Sequence, residues 1–260
     1  MNETPLVFIT GASSGIGQAF AERYRRAGWR LALVARRAVQ LEEWARSQGW
    51  PAGSWRVYAS DVQDTDSIVA AGLHCMAEQG LPDVVIANAG ISIGMDTAVR
   101  EDLEVMRETL ATNNLGLAAT FHPFLSPMRE RGHGALVGIA SVAAIRGLPG
   151  HGAYCASKAG VVAYCESLRG ECRGSGVAVV TVVPGYIATP LTAGNRYPMP
   201  FLMSAQDFAD KAFRAISAGA SYSVIPWQMG VVAKLLRLLP NGWYDHLLAG
   251  RGRKRRRGEA

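Results

Sequence analysis

The stretch LVFITGASSGIG, residues 6–17, joins a short apolar run to a glycine-rich loop and then to the beginning of a helical pattern. A loop of this kind lets the backbone approach a pyrophosphate closely, and the N–H groups at the start of the following helix attract the negative charge. Gly11, Gly15 and Gly17 have the spacing GxxxGxG, which differs from the more common GxGxxG. Because glycine also marks ordinary tight turns, it is the position of the loop between a strand and a helix that favours nucleotide binding.

The rest of the chain continues this alternation of short apolar runs and longer helical patterns. The predicted strands are 6–10, 30–35, 54–60, 83–89, 135–141, 177–184 and 221–226. Their side chains are continuously apolar, which is typical of parallel strands that are buried on both faces. Strands that alternate with helices predict an α/β fold, namely one doubly wound domain whose parallel sheet has helices on both sides.

The positive charge of the 260-residue chain is concentrated at its C-terminus. The formal net charge is +6, and the last ten residues, RGRKRRRGEA, contribute +5 through six basic residues and one acid. The preceding residues therefore carry only +1, so that we expect no specific nucleic acid partner. The four cysteines form no CxxC pair and no metal-site spacing with histidine, which predicts reduced thiols, no metal and a cytoplasmic location.

Two arginines follow the second predicted strand, in the sequence LVARRA of residues 33–38. An acidic residue at this point would accept a hydrogen bond from the ribose 2′-hydroxyl of NAD, whereas an arginine binds the 2′-phosphate of NADP. Arg36 follows the strand directly and is the candidate phosphate ligand. The sequence therefore predicts NADP(H) in preference to NAD(H), with two solvated surface arginines as the alternative.

The stretch AYCASKAG, residues 153–160, places Tyr154 and Lys158 one helical turn apart among small side chains. Residues four apart share a face of a helix, and a nearby ammonium group lowers the pKa of a phenol. The tyrosine could then exchange a proton with a carbonyl or alcohol oxygen. Ser141 lies thirteen residues earlier, at the end of the fifth strand, where its hydroxyl could bind the same oxygen. For the Tyr154–Lys158 pair alone, an ordinary surface pair is the alternative.

Together these motifs resemble the short-chain dehydrogenase/reductase family over about residues 5–190. The segments that carry the resemblance are TGASSGIG (10–17), Asp61–Val62, NAG (88–90), NxxG from Asn113 to Gly116, Ser141 with the YxxxK pair, and PGYIATP (184–190). The resemblance implies a single Rossmann domain over residues 1–226, with a parallel seven-stranded sheet in the order 3-2-1-4-5-6-7.

The resemblance also implies the site residues and their roles. Tyr154 is the acid/base, Ser141 positions and polarises the substrate oxygen, and Lys158 lowers the pKa of Tyr154 and binds the nicotinamide ribose. Asn113 holds a water that connects Lys158 to solvent, with the neighbouring Asn114 as a competing assignment. The implied cofactor-binding residues are Gly11, Ser13, Ser14, Gly15, Ile16, Gly17, Arg36, Asp61, Val62, Asn88, Gly90, Tyr154, Lys158, Ile187 and Thr189.

The substrate side is predicted from the segments beyond the sixth strand. Residues 191–204 form the expected substrate loop, and their apolar side chains favour a small apolar carbonyl or alcohol substrate, or else packing against the core or a neighbouring subunit. Residues 227–250 are predicted as an amphipathic helical extension and residues 251–260 as a disordered basic tail. Such an extension either attaches peripherally to the anionic inner membrane surface or packs on the protein itself.

These observations predict an NADP(H)-dependent oxidoreductase that transfers a hydride between nicotinamide and the carbonyl or alcohol carbon of an apolar, lipid-like substrate. Two alternatives remain open, a non-catalytic NADP-binding sensor or scaffold and a membrane-surface protein that acts through its C-terminal helix. The family resemblance further implies a homodimer or homotetramer, with subunit contacts on the helices around residues 101–131 and 152–173.

Overall fold

The computed structural model describes residues 4–195, 197–250 and 252–258. The opening stretch forms strand β1 (Leu6–Thr10), a glycine-rich turn and helix α1 (Gly15–Arg26). The other strands are β2 (Arg30–Ala35), β3 (Trp55–Ala59), β4 (Val84–Ala87), β5 (Gly134–Ile139), β6 (Val177–Pro184), β7 (Ile187–Ala188), β8 (Met203–Ser204) and β9 (Tyr222–Ile225). The other α-helices are α2 (Ala38–Ser47), α3 (Thr65–Gln79), α4 (Asp102–Leu110), α5 (Gly116–Arg131), α6 (Gly152–Glu171), α7 (Pro190–Ala193), α8 (Ala205–Ser217), α9 (Trp227–Leu238) and α10 (Asn241–Leu248).

Seven of these strands form one parallel sheet in the order β3-β2-β1-β4-β5-β6-β9. This order confirms the predicted doubly wound Rossmann fold, because β9 is the seventh strand that the sequence predicts at residues 221–226. Strands β7 and β8 pair with each other outside this sheet. The strand order reverses between β1 and β4, and a crevice is expected where the connections leave these two strands in opposite directions.

A separate hydrophobic core on each face of the sheet explains the continuously apolar strands. Along β1, Leu6 and Phe8 belong to one core, whereas Val7 and Ile9 belong to the other. Helices α3, α5 and α6 fill the first core, in which the rings of Phe8 and Phe124 have their centroids 4.9 Å apart. Helices α1, α2 and α8 fill the second core. Successive side chains of a strand are therefore all removed from water, although they point in opposite directions.

A network of hydrogen bonds joins β1 to the loop that follows β4. The hydroxyl oxygen of Thr10 accepts hydrogen bonds from the backbone N–H groups of Asn88 and Ala89, at 3.1 and 3.2 Å. In the other direction, the side-chain amide of Asn88 donates to the carbonyl oxygens of Thr10 and Gly11, at 3.0 and 3.3 Å. These two side chains satisfy backbone groups that have left the sheet, and they fix the glycine loop against the β4 loop.

The C-terminal extension is attached to the loop that follows β5. The guanidinium group of Arg146 donates to the carbonyl oxygen of Leu239 at 2.7 Å and to Oδ1 of Asn241 at 2.9 Å, and it lies over the ring of Tyr244. The Tyr244 hydroxyl donates to the carbonyl oxygen of Gly147 at 2.7 Å. One face of the extension therefore packs on the fold, as in one of the two alternatives that the sequence leaves open.

Disorder is expected for the tail, residues 251–260, and the structure describes the contacts of residues 252–258 within it. Arg256 and Arg257 lie beside α4, where Nε of Arg256 is 2.6 Å from Oδ2 of Asp102 and Arg257 is paired with Glu108. Arg256 also forms an isolated β-bridge with Gly94. The sequence shows the positive charge of the tail, but it does not show the carboxylates that the fold brings to this charge. The tail positions outside the described residues are Arg251, Glu259 and Ala260.

Candidate active site

The carboxyl ends of the central strands open onto a cleft of about 440 Å³. Ligands of open α/β sheets bind at this edge, beside the point where the strand order reverses. Thirteen of the fifteen predicted cofactor-binding residues line the cleft, namely Gly11, Ser13, Ser14, Gly15, Ile16, Arg36, Asp61, Val62, Asn88, Gly90, Tyr154, Lys158 and Thr189. The fold thus brings to one place the residues that the motifs spread along the chain.

The other two predicted residues, Gly17 and Ile187, do not line the cleft. A Cβ atom at Gly17 would stand 2.2 Å from the carbonyl oxygen of Gly11, so that this glycine allows α1 to pack closely against the loop. Ile187 is 2% exposed, and its side chain belongs to the core beside α1. The structure gives both residues a packing role behind the cleft, and their expected contact with the cofactor stays a prediction.

The glycine loop has the shape and the polarity that the phosphates of a dinucleotide require. Gly11 has a φ of +66°, and a Cβ atom there would stand 2.8 Å from Cα of Ala89. Helix α1 begins at Gly15 without a side-chain cap and without an acidic residue in its first turn. Its first N–H groups and the positive end of its dipole are therefore available to an anion. The residues present fit a dinucleotide in this cleft.

Two arginines line the cleft beyond the end of β2. Nη1 of Arg36 lies 3.6 Å from Oδ2 of Asp61, and Nη2 of Arg37 donates to the hydroxyl of Ser13 at 3.3 Å. Arg36 and Asp61 are both exposed, so that this ion pair contributes little to stability. Both arginines are visible in the sequence, where Arg36 is the favoured phosphate ligand because it follows the strand directly.

Ser141, Tyr154 and Lys158 meet where β5 and α6 approach the cleft. The Ser141 hydroxyl accepts a hydrogen bond from the N–H group of Ala143 at 3.2 Å, which fixes the turn after β5. The ammonium group of Lys158 is buried and donates to the carbonyl oxygen of Ile139 at 2.8 Å. It lies 5.9 Å from the centre of the Tyr154 ring. The predicted catalytic hydroxyl, phenol and ammonium are thus neighbours.

Burial affects the pKa of the Tyr154 phenol more than the charge of Lys158 does. Burial raises the pKa of the Tyr154 phenol above its usual value, and a hydrogen bond with Ser141 opposes part of this rise. Burial also lowers the pKa of the Lys158 ammonium to about 8. The expected lowering of the Tyr154 pKa by Lys158 is not found, because both groups lose solvation and the ammonium is bonded to a carbonyl oxygen. The phenol is therefore neutral at neutral pH.

Asn113 lies in a single turn of π-helix, Ala111–Leu115, between α4 and α5. Its side-chain amide donates to the carbonyl oxygen of Ile91 at 3.0 Å and to the hydroxyl of Ser157 at 2.8 Å, and it accepts a hydrogen bond from the Ile91 N–H group at 2.9 Å. The neighbouring Asn114 donates to the carbonyl oxygen of Ser157 at 2.8 Å. Among the described residues, the amide oxygen of Asn114 has no hydrogen-bond partner. Asn113 is therefore the more fully bonded of the two.

Gly90 explains how Asn113 and Lys158 come to lie side by side. A Cβ atom at Gly90 would stand 3.2 Å from Oδ1 of Asn113 and 3.4 Å from Nζ of Lys158. The distance to Asn113 is tighter than most real Cβ contacts, so that a side chain at Gly90 would require Asn113 to shift by a few tenths of an ångström. The NAG motif thus leaves room for two of the predicted catalytic side chains.

A second cavity, of about 170 Å³, lies beside the cleft and shares Tyr154 and Leu191 with it. Ser141 lines this cavity, as do Ile145 and Leu148 from the loop after β5. Sequence reasoning misses most of the other apolar and aromatic walls, namely Tyr186, Tyr197, Met229, Val232, Leu236 and Tyr244. These residues come from the motif at 184–190, from the substrate loop and from the C-terminal helices, and no local pattern in the sequence assigns them to one cavity.

The substrate loop contributes polar contacts as well as apolar ones. Nε2 of His151 lies 3.3 Å from the hydroxyl of Tyr197, and both side chains line the cavity. Phe201 and Leu202, which the sequence proposes as apolar lining, are instead about half exposed, at 51% and 49%.

No group of three His, Cys, Asp or Glu side chains that could hold a metal ion occurs in the described part of the chain.

Known proteins resemble this chain in sequence and in fold. The family model described as short chain dehydrogenase matches residues 5–199. An uncharacterized oxidoreductase of Myxococcus xanthus is 40% identical over 238 residues, which cover 91% of this chain and 93% of that protein. A short-chain dehydrogenase from Sphingobium yanoikuyae in complex with NADPH is 26% identical, with a TM-score of 0.79 and 98% of each chain covered. A short-chain dehydrogenase/reductase from Burkholderia phymatum in complex with NAD has a TM-score of 0.81 at 22% identity, covers 90% of this chain and 94% of that one, and shows the fold alone.

The chain therefore belongs to the short-chain dehydrogenase/reductase family. This confirms the resemblance that the motifs indicate, and it makes the protein an oxidoreductase of a family that acts on alcohol and carbonyl groups. The two solved structures contain NADPH and NAD, so that this fold is compatible with both nicotinamide cofactors.

The two neighbouring asparagines can be separated by their contribution to stability. We expect Asn113→Ala to lower the free energy of unfolding by about 2–4 kcal/mol, because it leaves groups of Ile91 and Ser157 without their hydrogen-bond partners. The matched control Asn114→Ala removes one hydrogen bond and should cost about 1 kcal/mol. Urea denaturation followed by circular dichroism measures both values. Equal costs would contradict the central position that the hydrogen bonds give to Asn113.

Proposed function

We propose that this protein is an NADP(H)-dependent reductase of small apolar, lipid-like carbonyl compounds, with Tyr154 as the proton donor. The observation that carries the proposal is the position of Tyr154. Among the described residues, it is the ionisable side chain that lines both the dinucleotide-shaped cleft and the largely apolar cavity. A nicotinamide cofactor supplies or accepts the hydride when it is bound, and the protein supplies the geometry and the proton.

Ser141 and Tyr154 bind the substrate oxygen in this proposal. Both line the cavity, and two hydroxyl donors directed at one oxygen stabilise the negative charge that develops there during reduction. The raised pKa of Tyr154 keeps the phenol protonated at neutral pH, so that it can donate its proton to that oxygen. A protonated phenol is the form that carbonyl reduction needs as its proton donor, whereas alcohol oxidation needs the phenolate.

Lys158 and Asn113 support the proton donor. Lys158 lines the nucleotide cleft, and its ammonium group is available to bind ribose hydroxyls there. Its pKa of about 8 keeps Lys158 charged below that pH and neutral above it. Its stabilisation of the Tyr154 phenolate, which forms when the proton leaves, therefore decreases as the pH rises through 8. Asn113 holds the turn of α6 that carries Lys158, through the hydroxyl of Ser157, and we assign to it the connection of Lys158 to solvent.

The proton-donor role of Tyr154 is tested by its replacement with phenylalanine. We expect Tyr154→Phe to lower kcat/KM for carbonyl reduction by about 10²–10⁴-fold, because the acid is lost while the ring remains. The decrease in NADPH absorbance measures the rate, and titration with NADPH checks that the cofactor still binds. Tyr164→Phe, on the exposed side of the same helix, is the matched control and should keep full activity.

Two outcomes of this experiment would overturn the proposal. Full activity of Tyr154→Phe would assign the proton donor to another group. Tight NADPH binding by the wild type, without turnover on a broad panel of ketones and aldehydes, would favour the non-catalytic sensor or scaffold.

The proposed preference for NADP(H) rests on the charges at the end of β2. Arg36 and Arg37 line the cleft there, and Asp61 is the carboxylate among its described lining residues. Asp61 offsets part of the charge of Arg36, whereas Arg37 is bonded to the uncharged Ser13 and keeps its full charge for a phosphate. We therefore extend the proposed phosphate clamp from Arg36 to both arginines.

Calorimetric titration with NADPH and with NADH tests this clamp. The wild type is expected to prefer NADPH, and Arg36→Ala or Arg37→Ala should each reduce that preference by about 10- to 100-fold, since each removes charged hydrogen bonds. Arg46→Ala, on the exposed face of α2, is the matched control and should leave the preference unchanged. Equal affinity of the wild type for the two cofactors would refute the clamp and reopen NAD-linked alcohol oxidation.

A second proposal concerns the outer face of the C-terminal helices, which is exposed and apolar. Its residues on α9 are Trp227, Val231, Leu235 and Leu238, exposed by 70, 48, 60 and 79%. Trp243 and Leu247 on α10 are exposed as well. Their spacing on α9 places them on one side of that helix, and an apolar patch of this kind marks an interaction surface. The basic residues Lys234 and Arg237 between them favour an anionic partner, so that we propose peripheral attachment to the inner membrane surface.

The helices of the described chain include none with both the length and the apolar character needed to span a bilayer. The attachment that we propose is therefore tested with vesicles of phosphatidylglycerol. The triple variant Leu235→Ser, Leu238→Ser and Trp243→Ser should bind at least about tenfold more weakly, because it removes three large apolar side chains from the contact. Val39→Ser, at an equally exposed site on α2, should bind like the wild type. Two results together would assign this face to subunit packing instead. The wild type would not bind the vesicles, and the triple variant would form a smaller assembly than the wild type in light scattering.

The helices that the family resemblance assigns to subunit contacts also expose apolar side chains. These residues are Leu103, Leu110, Leu115 and Tyr164. We propose that the protein forms a homodimer or homotetramer through α4, α5 and α6. The tail residues beside α4 would then lie close to the subunit contact, since Arg257 is paired with Glu108 on that helix.

A further inference from the structure

Residues 252–258, which we call the C-terminal strap, run past the mouth of the substrate cavity. The N–H group of Gly94 donates to the carbonyl oxygen of Arg255 at 3.0 Å. Arg256 is held by Asp102, which is 4% exposed, and this carboxylate also accepts a hydrogen bond from the Asp96 N–H group at 2.7 Å. The strap is thus anchored by backbone hydrogen bonds and by a partly buried ion pair.

Two glycines leave the space that the strap occupies. A Cβ atom at Gly94 would stand 2.2 Å from the carbonyl oxygen of Lys254. At Gly150, where φ is +74°, a Cβ atom would stand 3.0 Å from Cβ of Arg253. Side chains at these two positions would displace the strap, so that the walls around the cavity are shaped to receive it. The strap therefore packs against the site as part of its wall.

The strap brings Lys254 to the cavity that Ser141 and Tyr154 line. The ammonium group of Lys254 donates to the carbonyl oxygen of Leu191 at 3.2 Å. An ammonium has three N–H donors, so that this contact uses one of them. Burial lowers the pKa of Lys254, because its charge is partly removed from water.

The described lining of the cavity contains no aspartate or glutamate that could neutralise this charge. The other cation of the lining, Arg146, donates to the carbonyl oxygen of Leu239 and to Asn241, so that it is committed to holding the C-terminal helices. A partly buried charge without a counter-charge is costly, and a ligand that carries a negative charge removes that cost. Lys254 is thus the cation that is available to a bound molecule.

We propose that Lys254 binds an anionic group of the substrate, so that the substrate is an apolar oxo acid or its hydroxy acid counterpart. This inference rests on the proposed reductase function and names the substrate class for the same site. The carbonyl oxygen lies with Ser141 and Tyr154, the hydrocarbon part contacts the apolar walls, and the carboxylate pairs with Lys254. The ion pair fixes which carbon of the chain faces the cofactor, and Lys254 is therefore a specificity-determining residue.

Binding of hexanoate and hexanamide by the full-length protein in the presence of NADP⁺ tests this inference without any need for turnover. The two probes have the same length and differ in charge. We expect the wild type to bind hexanoate about 10- to 100-fold more tightly than hexanamide, because a charge-assisted hydrogen bond is gained. Lys254→Met should bind both probes equally, whereas Lys254→Arg, which keeps the charge, should retain most of the preference. Lys211→Met, at an exposed site on α8, removes the same charge elsewhere and should behave like the wild type.

The outcomes separate this inference from the proposed function. A wild type that binds the two probes equally, or a preference that persists in Lys254→Met, overturns the role of Lys254. Loss of the preference in Lys254→Met and its retention in Lys254→Arg support that role, even if Tyr154→Phe were found to remain active. Melting temperatures of the variants show whether the strap residues have altered the fold.

Discussion

The hydrogen bonds that tie Thr10 and Gly11 to Asn88 are the constraint on which the rest of the site depends. They hold the glycine loop against the β4 loop at the point where the strand order reverses, so that the crevice between β1 and β4 keeps a fixed shape. The approach is so close that a side chain at Gly11 would collide with the backbone of Ala89. With the loop fixed, the start of α1 faces the cleft, and the ends of β2, β5 and α6 are carried to the same edge of the sheet.

The chemistry of the site is a consequence of burial. The ammonium group of Lys158 is buried, and the carbonyl oxygen of Ile139 replaces water by accepting a hydrogen bond from it. Burial makes the Tyr154 phenol a weaker acid in the same surroundings, so that it stays protonated at neutral pH. The C-terminal helices and the strap complete the enclosure from the other side, so that the most distant part of the sequence shapes the substrate cavity.

The sequence predicts those features that local pattern determines. Continuously apolar strands and a glycine loop between strand and helix are sufficient for the sheet, the cleft and most of its lining. Features that depend on tertiary contacts are not visible in this way. Arg256 and Asp102 are 154 residues apart in the sequence, so that the sequence alone gives the tail no partner. The sequence predicts a lowered pKa for Tyr154 for the same reason. Burial raises this pKa by more than the nearby ammonium lowers it, and the spacing of two residues does not show burial. Ile187 belongs to a recognisable motif, yet its side chain lies in the core.

We infer that one continuous site runs from the arginines after β2, past Tyr154, into the cavity beneath the C-terminal helices. A crystal structure of the protein with NADP⁺ bound tests it most directly. We expect the adenosine phosphate at Arg36 and Arg37, and the nicotinamide ring at the junction of cleft and cavity beside Tyr154 and Lys158. A cofactor whose nicotinamide end lies away from Tyr154, or whose phosphate avoids both arginines, would contradict it.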